Sequence, residues 1–291
     1  MNNFRLKTKK AFTKKGVDSV WGQGALHLVM WTIVILSLFP LITTIMFSFR
    51  GYKDFQKGFW ALPEKLMWSN FAFGFNRVIA NMLNSVLVAV TVAVCSVMIS
   101  AFVAYVFVHK KFFGKKFLFA LIISLMMVPG VLTLTPRYVL IQNLNLIDSW
   151  FALILPWTSG HLVGGVFIFR TFMGQQPKEL FESATIDGGG DFTLFLNIAL
   201  PLAVPIIVIQ LVGTVSGCYN DYIWSLLVIN NDSIQMLMPL LKNIVAESQL
   251  NTGNPGITHA IYLVSGIPLL ITTSIGLKYF INGDFASGLK M

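Results

Sequence analysis

The sequence predicts an all-α membrane protein with six transmembrane helices. Both termini are expected on the cytoplasmic side, and a short helical knob is expected between the fourth and fifth helices. Three observations carry this prediction. Hydrophobic residues make up 55% of the 291 positions and charged residues only 11%, against about 25% charged in a soluble domain. Apolar runs close to the roughly 20 residues needed to cross a hydrocarbon core recur along the chain, at 24–48, 83–108, 117–136, 151–172, 198–218 and 259–280. The net charge of +9 is concentrated beside those runs, where positive charge sets membrane orientation.

Each span is expected to be helical, because lipid offers no partner to an unpaired backbone N–H or C=O. The basic segment 1–23 opens the chain with Arg5, Lys7, Lys9, Lys10, Lys14 and Lys15. The run behind it is too long for a cleaved leader, contains "FPL" at 39–41 and lacks a small-residue cleavage site. Segment 49–82 mixes polar and aromatic residues, which suits either the membrane–water interface or a partner's outer surface. After the second span, "HKKFFGKK" at 109–116 adds four lysines. The third span contains Pro129 and Pro136, and the fifth begins with Pro201 and Pro205. Such breaks occur where transporter helices unwind around a site, or as ordinary kinks. Segment 219–258 reads as a long polar loop rich in turn residues, with no core of its own.

With the N-terminus inside, the inner segments and adjoining helix ends hold 14 of the 21 Lys and Arg residues. The other seven are Arg50, Lys53, Lys57, Lys65, Arg77, Arg137 and Lys242. Acidic residues divide evenly, so the bias comes from cations, as orientation requires. The basicity therefore needs no nucleic-acid partner.

Catalytic chemistry is not legible. No glycine-rich loop ends in Gly-Lys-Ser/Thr, so no phosphate cradle of that type is expected. His27, His109, His161 and His259 are scattered without ligand spacing, and Cys95 and Cys218 read as small apolar thiols. Asp148 and Asp221 lie near span ends, too few for a proton relay. The chain reads as a conduit driven from elsewhere.

The knob is "PKELFESATIDGGGDFTLF", from Pro177 to Phe195. Residues 178–187 suit a short helix, with Pro177 at its start. Glu179, Glu182 and Ile186 share one face, while Leu180 and Ala184 form another pair. Three glycines permit a sharp reversal, and Asp191 is expected to cap a helix starting at Phe192. A solvated loop is the alternative on composition alone.

The order of residues is more specific. "ESATIDG" at 182–188, Phe195 and "IALPLAVP" at 198–205 resemble the signature loop of ABC importer permeases. The chain is similar in particular to the second permease of the maltose/multiple-sugar type. "LNSV" at 83–86, "AFVAYVFVHKKFFGKK" at 101–116, "MMVPGVLTLTPRYVLIQNLNLIDSW" at 126–150, "YNDYIW" at 219–224 and "KYFINGDFASGLK" at 278–290 extend the likeness. Ser183 and Gly189 stand where that family has Ala. Tyr219 replaces Trp, Ser225 replaces Pro and Asn145 replaces Gly.

The resemblance implies a transmembrane permease domain over 24–280 and a cytoplasmic tail over 281–291. It implies that 177–197 is a coupling loop seated on a cytoplasmic ABC ATPase dimer. Glu179, Glu182, Ser183, Ala184, Ile186, Asp187 and Gly188 are then the coupling residues. ATP and Mg would be bound by the ATPase partners, with no cofactor, metal or catalytic residue in this chain. A second permease subunit, an external sugar-binding protein and a carbohydrate complete the expected assembly, in a bacterial or archaeal cytoplasmic membrane. Asn84, Tyr219, Asn220 and Trp224 are candidates for the substrate path, or for bracing the broken helices. Ala101, Ala104, Gly213 and Gly217 would allow close packing, internally or against the second permease. The loop at 225–258 is expected to reach the binding protein, and the tail, bending at Gly283 and Gly288, the ATPase. The competing readings are a permease for a non-sugar solute such as a polyamine or phosphate, and a stand-alone ion-coupled carrier.

Overall fold

A computed structural model describes residues 20–281. The basic residues before Trp21, and Gly283 and Gly288 in the tail, lie outside the described residues. Every regular element among the described residues is helical. Helix α1 is Val20–Ser48. The short α2, Tyr52–Gln56, leads into α3, Trp68–His109. Helix α4 is Lys115–Leu125, α5 is Leu134–Asn143 and α6 is Phe151–Met173. The knob contains α7, Lys178–Ile186, and then the chain re-enters through α8, Asp191–Leu202, and α9, Val204–Tyr219. Helices α10, Ile223–Val228, and α11, Leu237–Thr252, precede α12, Pro255–Ile281.

Among the described residues, four helices are long and apolar enough to cross a membrane: α1, α3, α6 and α12. The expected third and fifth spans are each bent. Helices α4 and α5 meet at 93° and α8 and α9 at 77°. Pro129 explains the first break. It disfavours helix at the residue before it and lacks the N–H that would continue the ladder, and a 3₁₀ turn over Gly130–Thr133 follows. Pro136 falls in the first turn of α5, where a missing N–H is harmless. The second break falls at Ala203, between Pro201 and Pro205, after a π-turn over Phe195–Ala199.

Helix α3 is the hub. It packs against α6, α9, α11 and α12. Its 42 residues extend about 63 Å, roughly twice the thickness of a hydrocarbon core. The expected span 83–108 is thus only its inner part. The expected outer loop is helical from Trp68 because Asn70, Gly74, Val78 and Met82 recur every four residues as a buried stripe.

Three clusters lie along this rod. Val78, Met82, Tyr219, Leu237, Val245 and Ile261 form the first. Val88, Val92, Leu153, Trp157, Trp224 and Val228 form the second. Ala101, Tyr105, Phe169, Phe181, Leu194 and Phe195 contribute to the third. Segment 219–258 therefore does contribute core. Its turn-rich ends hide α11, whose Leu237, Pro239, Val245 and Ser248 are buried. Close backbone approach is built in where α3 crosses α6: a Cβ on Gly165 would lie 2.7 Å from Ser100 Oγ. Ala101 and Ala104 are buried within the chain, whereas no other group lies within 4 Å of a Cβ placed on Gly213, and His161 lies beside Gly217.

Candidate functional site

The knob is built from its own hydrogen bonds outward. Pro177 is extended (φ −60°, ψ 123°) and precedes the first turn of α7, where Glu179 complements the helix dipole. At the other end, Gly188 N–H donates to the Thr185 carbonyl at 3.1 Å and Gly189 N–H to the Ala184 carbonyl at 2.9 Å. With Gly188 at φ +84°, these two bonds make a complete Schellman stop, the arrangement that suits glycine just past a helix. A Cβ on Gly189 would lie 2.7 Å from the Ala184 carbonyl oxygen, so the glycine at this departure from the family pattern lets the turn close tightly.

Asp191 is not the cap expected from the sequence. Gly190 occupies that position, extended and without a side chain, while Asp191 is the first helical residue and forms an ion pair with Lys110. Lys110 follows α3 directly, and Gly190 takes the extended cap conformation in place of Asp191, a position that glycine tolerates.

Phe181 roots the knob. It is buried, and its ring lies 4.1 Å from that of His109. His109 stacks on Tyr105 at 4.8 Å, and Tyr105 meets Phe195 at 5.4 Å. Gln176 Nε2 donates to the Ala199 carbonyl at 3.1 Å, so the chain entering the knob is also held to the π-turn leaving it. Facing outward, Glu179, Glu182, Ser183, Ile186, Asp187 and Gly188 are exposed, with Ile186 86% exposed. Ala184 is half-buried against the inner cluster. The arrangement is a projection with an apolar root and a mixed acidic and apolar tip. Sequence reasoning missed Phe181, although the one aromatic side chain in this short helix was the available signal.

The four substrate-path candidates lie toward the opposite end of α3. Tyr219 is buried, and its hydroxyl donates to the Ser265 carbonyl at 2.7 Å. Trp224 is buried, and its Nε1 donates to the Ala152 carbonyl at 2.9 Å. Asn84 Nδ2 donates to the carbonyls of Ser233 (2.9 Å) and Gln235 (3.3 Å). Asn220 Nδ2 donates back to the Ser216 carbonyl at 2.9 Å and remains exposed. Three of the four thus hold distant parts of this chain together.

Around them is a network the sequence did not reveal. Asp221 Oδ1 accepts from the N–H groups of Trp224 (2.9 Å) and Ser225 (3.2 Å), capping α10. The Arg137 guanidinium lies 3.9 Å from the centre of the Trp224 ring, and its Nε has no partner among the described residues. Asp148 lies at φ +58° and accepts from the N–H groups of Asn230 and Asn231. Those bonds, led by Asn230, hold its carboxyl below the ordinary value. Asn145 (φ +55°) takes the left-handed conformation at the position where the family has glycine, which Asn tolerates better than most residues. Gln235 donates to the Ile229 carbonyl at 2.6 Å and accepts from Met236 N–H at 2.9 Å.

Among the described residues no three His, Cys, Asp or Glu side chains converge to hold a metal. Both cysteines are free thiols, with Cys218 Sγ 3.6 Å from His161 Nε2.

A bundle of apolar helices packed around one long hub, four of them long enough to cross a membrane among the described residues, has the architecture of an integral membrane protein. Residues 96–281 match the family described as binding-protein-dependent transport system inner membrane component, and the chain belongs to that family of ABC transporter permeases. It is 27% identical over 266 residues to the arabinooligosaccharides transport system permease protein AraQ of Halalkalibacterium halodurans, covering 89% of this chain and 93% of that protein. It is also 27% identical over 266 residues to the sn-glycerol-3-phosphate transport system permease protein UgpE of Yersinia pestis bv. Antiqua, covering 88% and 94%. A crystal structure of a bacterial ABC transporter involved in the import of the acidic polysaccharide alginate has a chain of the same fold. Its TM-score is 0.78 at 19% identity, over 88% of this chain and 96% of that one.

Proposed function

We propose that this chain is one of two permease subunits of an ATP-driven, binding-protein-dependent carbohydrate importer in a bacterial or archaeal cytoplasmic membrane. It crosses the membrane six times, with each bent pair counting as one span and both termini inside. An external sugar-binding protein delivers an oligosaccharide to a path formed with the second permease. A cytoplasmic ATPase dimer binds ATP and Mg, and this chain performs no catalysis.

The observation that carries the reading is the knob. Phe181 joins it to the inner end of α3 through His109 and Tyr105, while Ile186, Glu179 and Glu182 point away from the chain's own core. A body rooted in the hub and exposed at the tip can pass a displacement from a partner to the spans. Closure of the ATPase dimer then biases inward- and outward-facing states, which is alternating access. Glu182, Ser183 and Ala184 belong to the seated helix, with Asp187 and Gly188 forming its stop. The carbohydrate assignment draws on the sugar-permease resemblance and on AraQ.

The test is uptake of labelled oligosaccharide into proteoliposomes holding both permeases, the ATPase and the binding protein. Uptake is expected only when all four are present with ATP. Gradient-driven uptake by this chain alone would favour an ion-coupled carrier instead.

One observation favours a second reading, an anionic cargo. Arg137 has no ion-pair partner among the described residues, and ionisable side chains within membrane proteins tend to mark solute paths. Asn220 is the exposed path candidate beside the same cluster. A binding screen of the external protein against neutral oligosaccharides, uronate-containing oligosaccharides and glycerol phosphate separates the two readings.

A further inference from the structure

The turn between α3 and α4, together with the first turn of α4, carries four lysines, and two of them are already used. Lys110 pairs with Asp191 at the foot of the knob. Lys115 Nζ donates to the Lys110 carbonyl at 2.9 Å and lies 3.5 Å from that of Val108. Lys111 and Lys116 are exposed and form no ion pair among the described residues. Between these two, Phe113 is fully exposed. The segment 111–117 bounds an open recess of 580 Å³ with a largely apolar lining.

We propose that this turn binds an anionic phospholipid. Lys111 and Lys116 hold the phosphate, Phe113 enters the headgroup layer, and an acyl chain lies along α4. Helix α4 exposes Phe117, Leu121 and Leu125, spaced at i, i+4 and i+8 and therefore on one face. That stripe starts at the basic turn and runs about 12 Å, most of one leaflet of a roughly 30 Å hydrocarbon core. A soluble anion would use the lysines but leave the apolar stripe and Phe113 uncovered. A second permease would cover an apolar helix face but would not call for two cations at its end, whereas a phospholipid presents a phosphate and an acyl chain in that order. Basic clusters beside membrane helices attract anionic lipids through the same charge complementarity. Because Lys110 grips Asp191 from the same turn, an occupied site would brace the foot of the knob.

Placement of this site in the inner leaflet rests on the N-in topology proposed above; the binding itself does not. The test uses the assembled transporter, delipidated in neutral detergent and titrated with dioleoyl phosphatidylglycerol or dioleoyl phosphatidylcholine, with adducts read by native mass spectrometry. Wild type is expected to retain phosphatidylglycerol over phosphatidylcholine. Lys111→Gln with Lys116→Gln is expected to reduce phosphatidylglycerol adducts at least about tenfold, while leaving phosphatidylcholine adducts and subunit composition unchanged. Phe113→Ser provides a second, charge-neutral variant and is expected to weaken retention of the same lipid. Unchanged phosphatidylglycerol retention in the double variant would overturn the proposal. Complete displacement by soluble glycerophosphoglycerol would overturn it in favour of a free-phosphate site. Loss of the ATPase subunits from the double variant with lipid retention intact would overturn it in favour of a protein contact. Sidedness is read separately, by labelling Lys111→Cys from either face of sealed vesicles. A label entering from outside overturns the topology, not the lipid site.

Discussion

Gly188 has φ +84° and donates its N–H to Thr185, so both its missing side chain and its amide are used. Replacing it with Ala forces a Cβ into the left-handed region, at a cost of about 1 kcal/mol. Gly188→Pro is harsher, because it removes the donor and locks φ near −65°. In assembled complexes, Gly188→Pro is expected to lower uptake per ATP hydrolysed by more than about tenfold while insertion and hydrolysis persist; wild-type coupling would remove the knob from the mechanism. Asp148 is a second residue where geometry sets chemistry. Its folded-state pKa lies below the ordinary value because Asn230 and Asn231 donate to its carboxylate. Its stabilisation is therefore fully present above the ordinary carboxylate pKa, near 3.9, and lost as pH falls through the lowered folded value. Asp148→Asn should flatten the fall in melting temperature below about pH 4 relative to wild type. Identical pH slopes would show that these bonds do not hold the α5–α6 connection to the segment after α10.

Helix α7 works as an element only because Phe181 fastens it. Phe181→Ala removes a buried aromatic side chain, at a cost of about 3 kcal/mol if the site cannot collapse. The loss is local, so the bundle should assemble, with protease sensitivity rising between residues 177 and 190 and transport falling relative to ATP hydrolysis. Unchanged protection of that segment would contradict the rooting. At the crossing of α3 and α6, a Cβ on Gly165 would lie 2.7 Å from Ser100 Oγ and 2.9 Å from Ser100 Cβ. Gly165→Val should lower stability by about 1–3 kcal/mol through overpacking. Adding Ser100→Gly should recover part of it, which a thermal melt of the solubilised complex can measure. Such close crossings suit membrane helices, where packing rather than hydrophobic expulsion drives association.

At the scale of the whole molecule, α3 joins the parts that a transporter must coordinate. Its C-terminal end meets the knob, its middle packs on α6, and its N-terminal part fastens α11 and the 231–237 loop. Asn81 Nδ2 donates to the carbonyls of Asp232 (2.9 Å) and Gln235 (3.0 Å), and Ser85 Oγ accepts from Leu237 N–H at 2.8 Å. One unbroken helix, Trp68–His109, thereby connects the contacts around Phe181 with those around residues 231–237. The membrane class, the apolar runs, the positions of the breaks and the Thr185–Gly189 stop were legible in the sequence. Each depends on composition or on neighbours within a few residues: Pro129 breaks its own helix, and Gly188 ends its own. Helix α11 and the first turns of α3 were not legible, because a polar stretch reveals its buried stripe only when its partner is in place. Likewise, the sequence marked Tyr219, Trp224 and Asn84 as polar groups of interest, but their uses as internal ties depend on residues 46 to 151 positions away. Local chain chemistry determined what this protein is made of and where it turns. Only the tertiary structure decided which polar groups are spent on the fold and which, like the tip of the knob and Lys111, stay exposed among the described residues, because hydrogen bonds and ring contacts between distant residues form only once the helices have packed.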